Sequence, residues 1–299
     1  MFKRLGLFLL TNLVVMLTIS TLLFVLEGLS PGLFSQSQFG GIAAFSLVWG
    51  MTGSLVSLLM SKQMAKWSMG VQVLDERSSS AEAADLVRRV HSLARQAGLT
   101  TPPEVGVYES DDVNAFATGP SRNNSLVAVS TGLLRRMSRT EADAVLAHEV
   151  SHIANGDMVT MALIQGVVNA FVLFAARAIA MVLANGRDER DRYMARRMIT
   201  FVLEIVFSIA ATLIISAFSR AREYRADAGA ARLVGAGAMI AALQRLGGAP
   251  ASDDDRAPAL AAFKIRGGGA MAWFSTHPPI EDRVAALRAY RGGSGPSLG

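Results

Sequence analysis

Apolar residues run without a charge through 5–26 and again through 40–60. A helix needs ~20 such residues to cross a bilayer, so both runs are expected to span as an N-terminal hairpin. Lys3 and Arg4 precede the first run, Lys62 and Lys66 follow the second, and the loop 27–39 between them holds no Lys or Arg. By the positive-inside rule both ends of this hairpin face the cytoplasm, and so does the chain that follows. A charged start before an apolar run is also the pattern of a cleavable signal peptide. This run is too long for one, and no small-residue cleavage site follows it, so an anchor is expected. Two later apolar runs, 159–184 and 199–218, carry one charge each, Arg177 and Glu204. Folded antiparallel about residue 191, they place these charges 14 residues before and 13 after the centre (191 − 177 and 204 − 191). The spacing predicts an ion pair within a second membrane hairpin, because a paired charge is tolerated in a bilayer better than a lone one. The connection 185–198 holds five Arg and three acidic residues. The positive-inside rule disfavours that composition on the far side, so the hairpin either crosses or dips in and returns.

The remaining segments change period. Residues 79–98 read as an amphipathic helix, with apolar Ala84, Leu86, Val90, Leu93 and Ala94 and a Gly stop. Short runs at 103–108, 115–118 and 126–129 read as strands separated by polar turns. A helix follows, with Thr140 and Asp143 as its expected capping start and Asn155-Gly156 as its stop. Past the second hairpin, 222–246 reads as helix, 247–269 as a mobile loop rich in Pro, Asp and Gly, and 279–291 as a closing helix. There is no internal repeat. The expected architecture is a mostly α membrane protein with an α+β domain built on a small sheet, plus two transmembrane hairpins. The expected divisions are a hairpin at 1–66, a first domain part at 67–158, a second hairpin at 159–218 and a second domain part at 219–299.

Composition narrows the chemistry. Hydrophobic residues make up 51% of the 299 residues and mean hydropathy is +0.35, high for a soluble protein. Cys is absent, which excludes disulfides and thiolate ligands, so a metal must be held by His and carboxylate. The formal charge of +5, from 29 basic and 24 acidic residues, suits an anionic lipid surface. No basic patch interleaved with aromatics and no Gly-rich phosphate loop is present, so nucleic acid is not an expected partner.

The helix at 140–155 contains His148-Glu149-Val150-Ser151-His152, an H-E-x-x-H motif that uses two of the four His in the chain. Residues four apart share a helix face, so both imidazoles can grip one metal ion while Glu149 stands beside it as a general base. A catalytic zinc site needs a third protein ligand. Glu223-Tyr224-Arg225-Ala226-Asp227 offers Glu and Asp on one face, 71 residues after His152 (223 − 152). Glu223 is the expected ligand, and Asp227 is expected to hold the outer nitrogen of a ligand histidine.

These residues, with Asn114-Ala115-Phe116-Ala117-Thr118-Gly119 and His277-Pro278-Pro279 followed by Arg283, resemble the M48 metallopeptidases over nearly the whole chain. The resemblance implies a zincin-like domain and a membrane zinc endopeptidase, one Zn2+ per chain, at the cytoplasmic face of a bacterial inner membrane. Its implied substrates are unfolded or damaged membrane proteins. It implies His148, His152 and Glu223 as metal ligands and Glu149 as base. It further implies His277 facing the site, where it either stabilises an oxyanion or packs in a Pro-fixed turn. Arg283 clamps either Asp227 or substrate, and Asn114 lies on a segment resembling the edge strand that pairs with substrate. His91, on the early amphipathic helix, is expected to be a plain surface residue. Two alternatives stand beside this reading, an inactive zinc-retaining scaffold and a maturation protease for one defined substrate. The oligomeric state is not legible.

Overall fold

The computed structural model describes residues 38–75, 80–184, 188–248 and 275–290. The expected span at 5–26 and most of the expected loop at 247–269 lie outside them. The described elements are α1 (Gln38–Met69), β1 (Gln72–Leu74), α2 (Ala81–Gln96), β2 (Glu104–Tyr108), β3 (Ala115–Ser121) and β4 (Asn124–Ser130). There follow α3 (Thr131–Arg136), α4 (Arg139–Asn155), α5 (Asp157–Leu183), α6 (Glu189–Val234), α7 (Ala236–Gly248) and α8 (Ile280–Ala289). The chain divides into two compact units, one of residues 1–57 with 161–215, the other of 58–160 with 216–299.

In the second unit the strands form a mixed sheet in the order β1-β2-β4-β3. β2 and β4 are parallel, while β1 and β3 pair antiparallel on the outer sides. Central β4 is buried on both faces, and its alternating side chains divide the core. Val127 and Val129 join the large cluster with Val90, Leu146, Val150, Met239 and Leu243. Leu126 and Ala128 face the other way, onto Tyr108, Phe116 and Val71. β1 has no counterpart in the sequence reading, because three residues are too few to show a period. The preceding helix α1 carries Lys62 and Lys66, whose ammonium groups lie 2.9 and 2.6 Å from the two oxygens of Glu104 on β2. Burial alone would raise the pKa of Glu104, and the two lysines bring it below the usual carboxylate value.

The helix carrying the H-E-x-x-H motif starts earlier than its sequence suggests. Ser138, not Thr140, is the N-cap: its side chain accepts from Glu141 N and the Glu141 side chain accepts from Ser138 N, a full capping box. Thr140 is already in the first turn. The stop is as expected, with Gly156 at φ 73°, a left-handed cap that costs a glycine little. His91 is half-buried rather than a plain surface residue, with Nε2 3.2 Å from the Pro103 carbonyl.

The first unit is helical. α1, α5 and α6 are each long and apolar enough to cross a membrane, by length and composition. Within it Gly50 packs against the backbone of Ala170, Gly166 against Met51, and the Ser54 hydroxyl bonds the Ala162 carbonyl. Small residues of this kind let apolar helices approach closely. The expected ion pair is present, with Arg177 Nη1 2.6 Å from Glu204 Oε1 and the same guanidinium 5.0 Å from the Phe45 ring centre. One sequence reading needs correction here. Most of the connection expected at 185–198 is already the start of α6. The apolar run 199–218 continues as one helix into the segment that carries Glu223 and Asp227. Apolar periodicity fades after Phe218, but nothing there breaks a helix.

Candidate metal centre

α4 supplies His148, Glu149 and His152, all buried, from the helix that packs between the sheet and helices α2 and α7. α6 supplies Glu223 and Asp227, at 0 % and 2 % exposure. The two helices meet closely because position 229 is glycine. A Cβ there would lie 2.5 Å from Ser151 Oγ and 2.7 Å from Ser151 Cβ. Gly229→Ala should therefore push α6 off α4, lowering stability by about 1–3 kcal/mol, as overpacking of a tight contact does. A thermal melt and a metal assay check this together, and loss of metal affinity should accompany the lower Tm. Nothing in the sequence marks this close approach, since a lone glycine late in a helical pattern reads only as weak helix propensity.

Among the described residues, only His148, His152 and Glu223 form a group of three with metal-binding chemistry. His148 Nε2 and His152 Nε2 are 3.1 Å apart, and they lie 3.4 and 3.3 Å from the Glu223 carboxylate oxygens. Ligands about 2.0–2.1 Å from a tetrahedral zinc ion stand roughly 3.3 Å from one another, so the three donors already have the spacing of one face of such a site. The other ring nitrogens are turned outward to carboxylates. His148 Nδ1 is 2.9 Å from Asp227 Oδ1, and His152 Nδ1 is 2.6 Å from Asp157 Oδ2. Asp227 lies one helical turn after Glu223 on α6. Asp157 has no place in the sequence reading, although it follows the helix stop at Gly156 directly and is 1 % exposed. Its only signal is an acidic residue at the mouth of an apolar run, which reads first as an ordinary helix N-terminus. Such carboxylates fix the tautomer and direction of a ligand imidazole.

Charge explains the rest of the arrangement. Arg283 on α8 is 2 % exposed, and its Nε and Nη2 lie 2.7 and 2.6 Å from the two oxygens of Asp227. Asp227 is one of the two partners the sequence leaves open to it. Burial would lower the pKa of this guanidinium, but Asp227 first and then Glu223 and Glu149 hold it charged. Burial would likewise lower the pKa of His148, yet the close carboxylates of Asp227 and Glu223 raise it to about 10. His152 moves in the same direction, against burial, through Asp157 and Glu223. His277 Nδ1 is 2.8 Å from Glu223 Oε2. Its segment is fastened by Arg220 Nη1, which donates to the Ser275 carbonyl, and by Ser275 Oγ, which donates to the His277 carbonyl. Asn114 is not part of the cluster. It stands just ahead of β3, with its carbonyl accepting from Ser130 N and its N–H donating to Ser130 Oγ.

Residues 80–291 match the family profile of Peptidase family M48. The chain belongs to peptidase family M48. This M48 peptidase is 49% identical over 297 residues to Protease HtpX of Shewanella baltica, covering 96% of this chain and 99% of that one. It is 50% identical over 294 residues to Protease HtpX of Aeromonas hydrophila, with the same coverage. It is 49% identical over 287 residues to the Protease HtpX homolog of Neisseria meningitidis, again with 96% and 99% covered. In fold it is similar to the crystal structure of S. mikatae Ste24p, with a TM-score of 0.56 at 19% identity over 91% of this chain. It spans 64% of that chain's length. The M48 peptidase is thus a membrane-anchored metalloprotease, with a buried His-His-Glu group that can bind a metal ion.

Proposed function

We propose that the protein is a zinc endopeptidase that hydrolyses exposed segments of unfolded or damaged membrane proteins, with its active site on the cytoplasmic side of a bacterial inner membrane. The observation that carries this reading is the spacing of His148 Nε2, His152 Nε2 and the Glu223 carboxylate, 3.1–3.4 Å between donors. His148, His152 and Glu223 hold the ion. Bound zinc supplies Lewis acidity, polarising the scissile carbonyl and acidifying water. Glu149, buried beside the two histidines on α4, takes the proton of the attacking water and passes it to the leaving amine. Asp227 and Asp157 aim the two imidazoles. His277, fixed through Nδ1 by Glu223, serves as donor to the developing oxyanion.

Strand β3 ends the sheet, and among the described residues only β4 pairs with it. It also lies against α4. An extended substrate added along β3, starting at Asn114, would be held by its backbone, which gives affinity with little sequence selectivity and suits varied damaged substrates. Lys3, Arg4, Lys62 and Lys66 support the cytoplasmic side. The protease domain is read as 67–158 with 219–299, interrupted by the membrane hairpin 159–218.

The test is cleavage of an unfolded model protein by detergent-purified enzyme, stripped with a chelator and reloaded. Cleavage should vanish on stripping and return with zinc; full activity of the stripped protein would end the metal reading. Zinc uptake should also release protons. The metal-free site holds a proton on His148 below about pH 10, and the metal must displace it. Apparent affinity should then rise about tenfold per pH unit for each proton displaced, and the heat of binding at neutral pH should depend on the buffer's ionisation enthalpy. In the metal-free protein the same shift contributes stability that is complete below the ordinary histidine value of 6.5 and lost as pH rises to about 10. Buffer-independent heats would contradict it.

A further inference from the structure

The arginines at the start of α6 play no part in the metal centre. Arg190, Arg192, Arg196 and Arg197 are all exposed. Among the described residues none of the four stands against a carboxylate, although Asp188, Glu189 and Asp191 are their sequence neighbours. Arg197 lies instead over the Tyr193 ring, 5.8 Å from its centre. On a helix Arg190, Tyr193, Met194, Arg197 and Phe201 fall on one face. Tyr193, Met194 and Phe201 are 61%, 59% and 62% exposed, and the outward apolar surface continues through Ile205 and Ile209. An apolar helix surface thus ends in a tyrosine flanked by two unneutralised guanidinium groups. That order, from hydrocarbon to aromatic to cation, is the order of a bilayer from its core to its headgroups.

The stretch 185–198 carries five Arg against three acids, a balance of +2 (5 − 3). Charge of that sign is disfavoured on the far side of a cytoplasmic membrane unless something there compensates it. We propose that the first turns of α6 bind the phosphate of an anionic phospholipid, with Arg190 and Arg197 as its ligands and Tyr193 packed beside it at the headgroup level. The proposal rests on the reading that the second hairpin crosses the bilayer. A guanidinium fork matches phosphate oxygens two at a time, and exposed forks without carboxylate partners are free to do so. An anionic lipid is favoured over a zwitterionic one, whose own ammonium would be repelled by the same arginines.

The probe is phosphatidylglycerol. Full-length zinc-loaded protein is placed in nanodiscs of phosphatidylcholine with phosphatidylglycerol, and the lipid retained after extraction is counted by native mass spectrometry. Wild type should retain phosphatidylglycerol selectively. Arg190→Gln with Arg197→Gln should weaken retention by about 25-fold, or about fivefold for each cation removed near an anionic surface. The loss should be matched by high salt, and zinc content serves as the folding control. Equal retention by wild type and variant, or equal retention of phosphatidylcholine, overturns the proposal. The chain has no Cys, so Met194→Cys introduces a single thiol. Its labelling by an impermeant maleimide from outside intact cells supports the crossing. Protection there overturns the crossing separately, whatever the lipid count shows.

Discussion

Glu149→Gln will keep its metal and lose turnover. The side chain is buried beside the two imidazoles, and the amide has nearly the same shape, so packing and metal affinity should hardly change. What disappears is the proton acceptor, and general-base catalysis contributes about 10²–10⁴-fold. Single-turnover cleavage, with metal content measured on the same sample, separates the two effects. Retained cleavage by a fully loaded variant would remove Glu149 from the mechanism. Loss of metal along with activity would make it a structural residue instead.

Arg283→Ala should be the most damaging substitution for stability. Both members of the Arg283–Asp227 pair are 2 % exposed, and the contact is made through two nitrogens and two oxygens. Removing one partner strands the other as a buried charge, at a cost of about 3–5 kcal/mol. The same change frees Asp227 to rotate, and Asp227 is what holds His148, so metal affinity should fall about 10–100-fold as well. The double variant Asp227→Asn with Arg283→Met removes both charges. It should recover part of the Tm but not the metal affinity. A single variant within about 1 kcal/mol of wild type, measured by denaturant unfolding, would show that the pair is dispensable.

These two predictions draw on different depths of the sequence. His148, Glu149 and His152 are legible because their chemistry and their spacing lie on one helix, and helix geometry alone brings them together. Glu223 is reachable only by asking what could complete the set. Asp157 and Gly229 are not reachable, since one acts by proximity in space and the other by having no side chain. Arg283 illustrates the limit well: only the fold of α8 against α6 brings it within hydrogen-bond distance of Asp227. The membrane pattern behaves similarly. Arg177 and Glu204 can be paired by counting from a hairpin centre, because antiparallel helices make depth a simple sum. The end of the membrane run cannot be placed that way, because α6 changes environment without changing structure.

That continuity has a consequence for when the enzyme can exist. Glu223 follows His152 by 71 residues, and α5 and the apolar part of α6 fill most of that interval. A newly made chain that has emitted its H-E-x-x-H helix therefore still lacks the carboxylate of its His-His-Glu group. It acquires that carboxylate only when both apolar runs have left the ribosome. The order of synthesis therefore delays the complete His-His-Glu group until the whole of both apolar runs has been made.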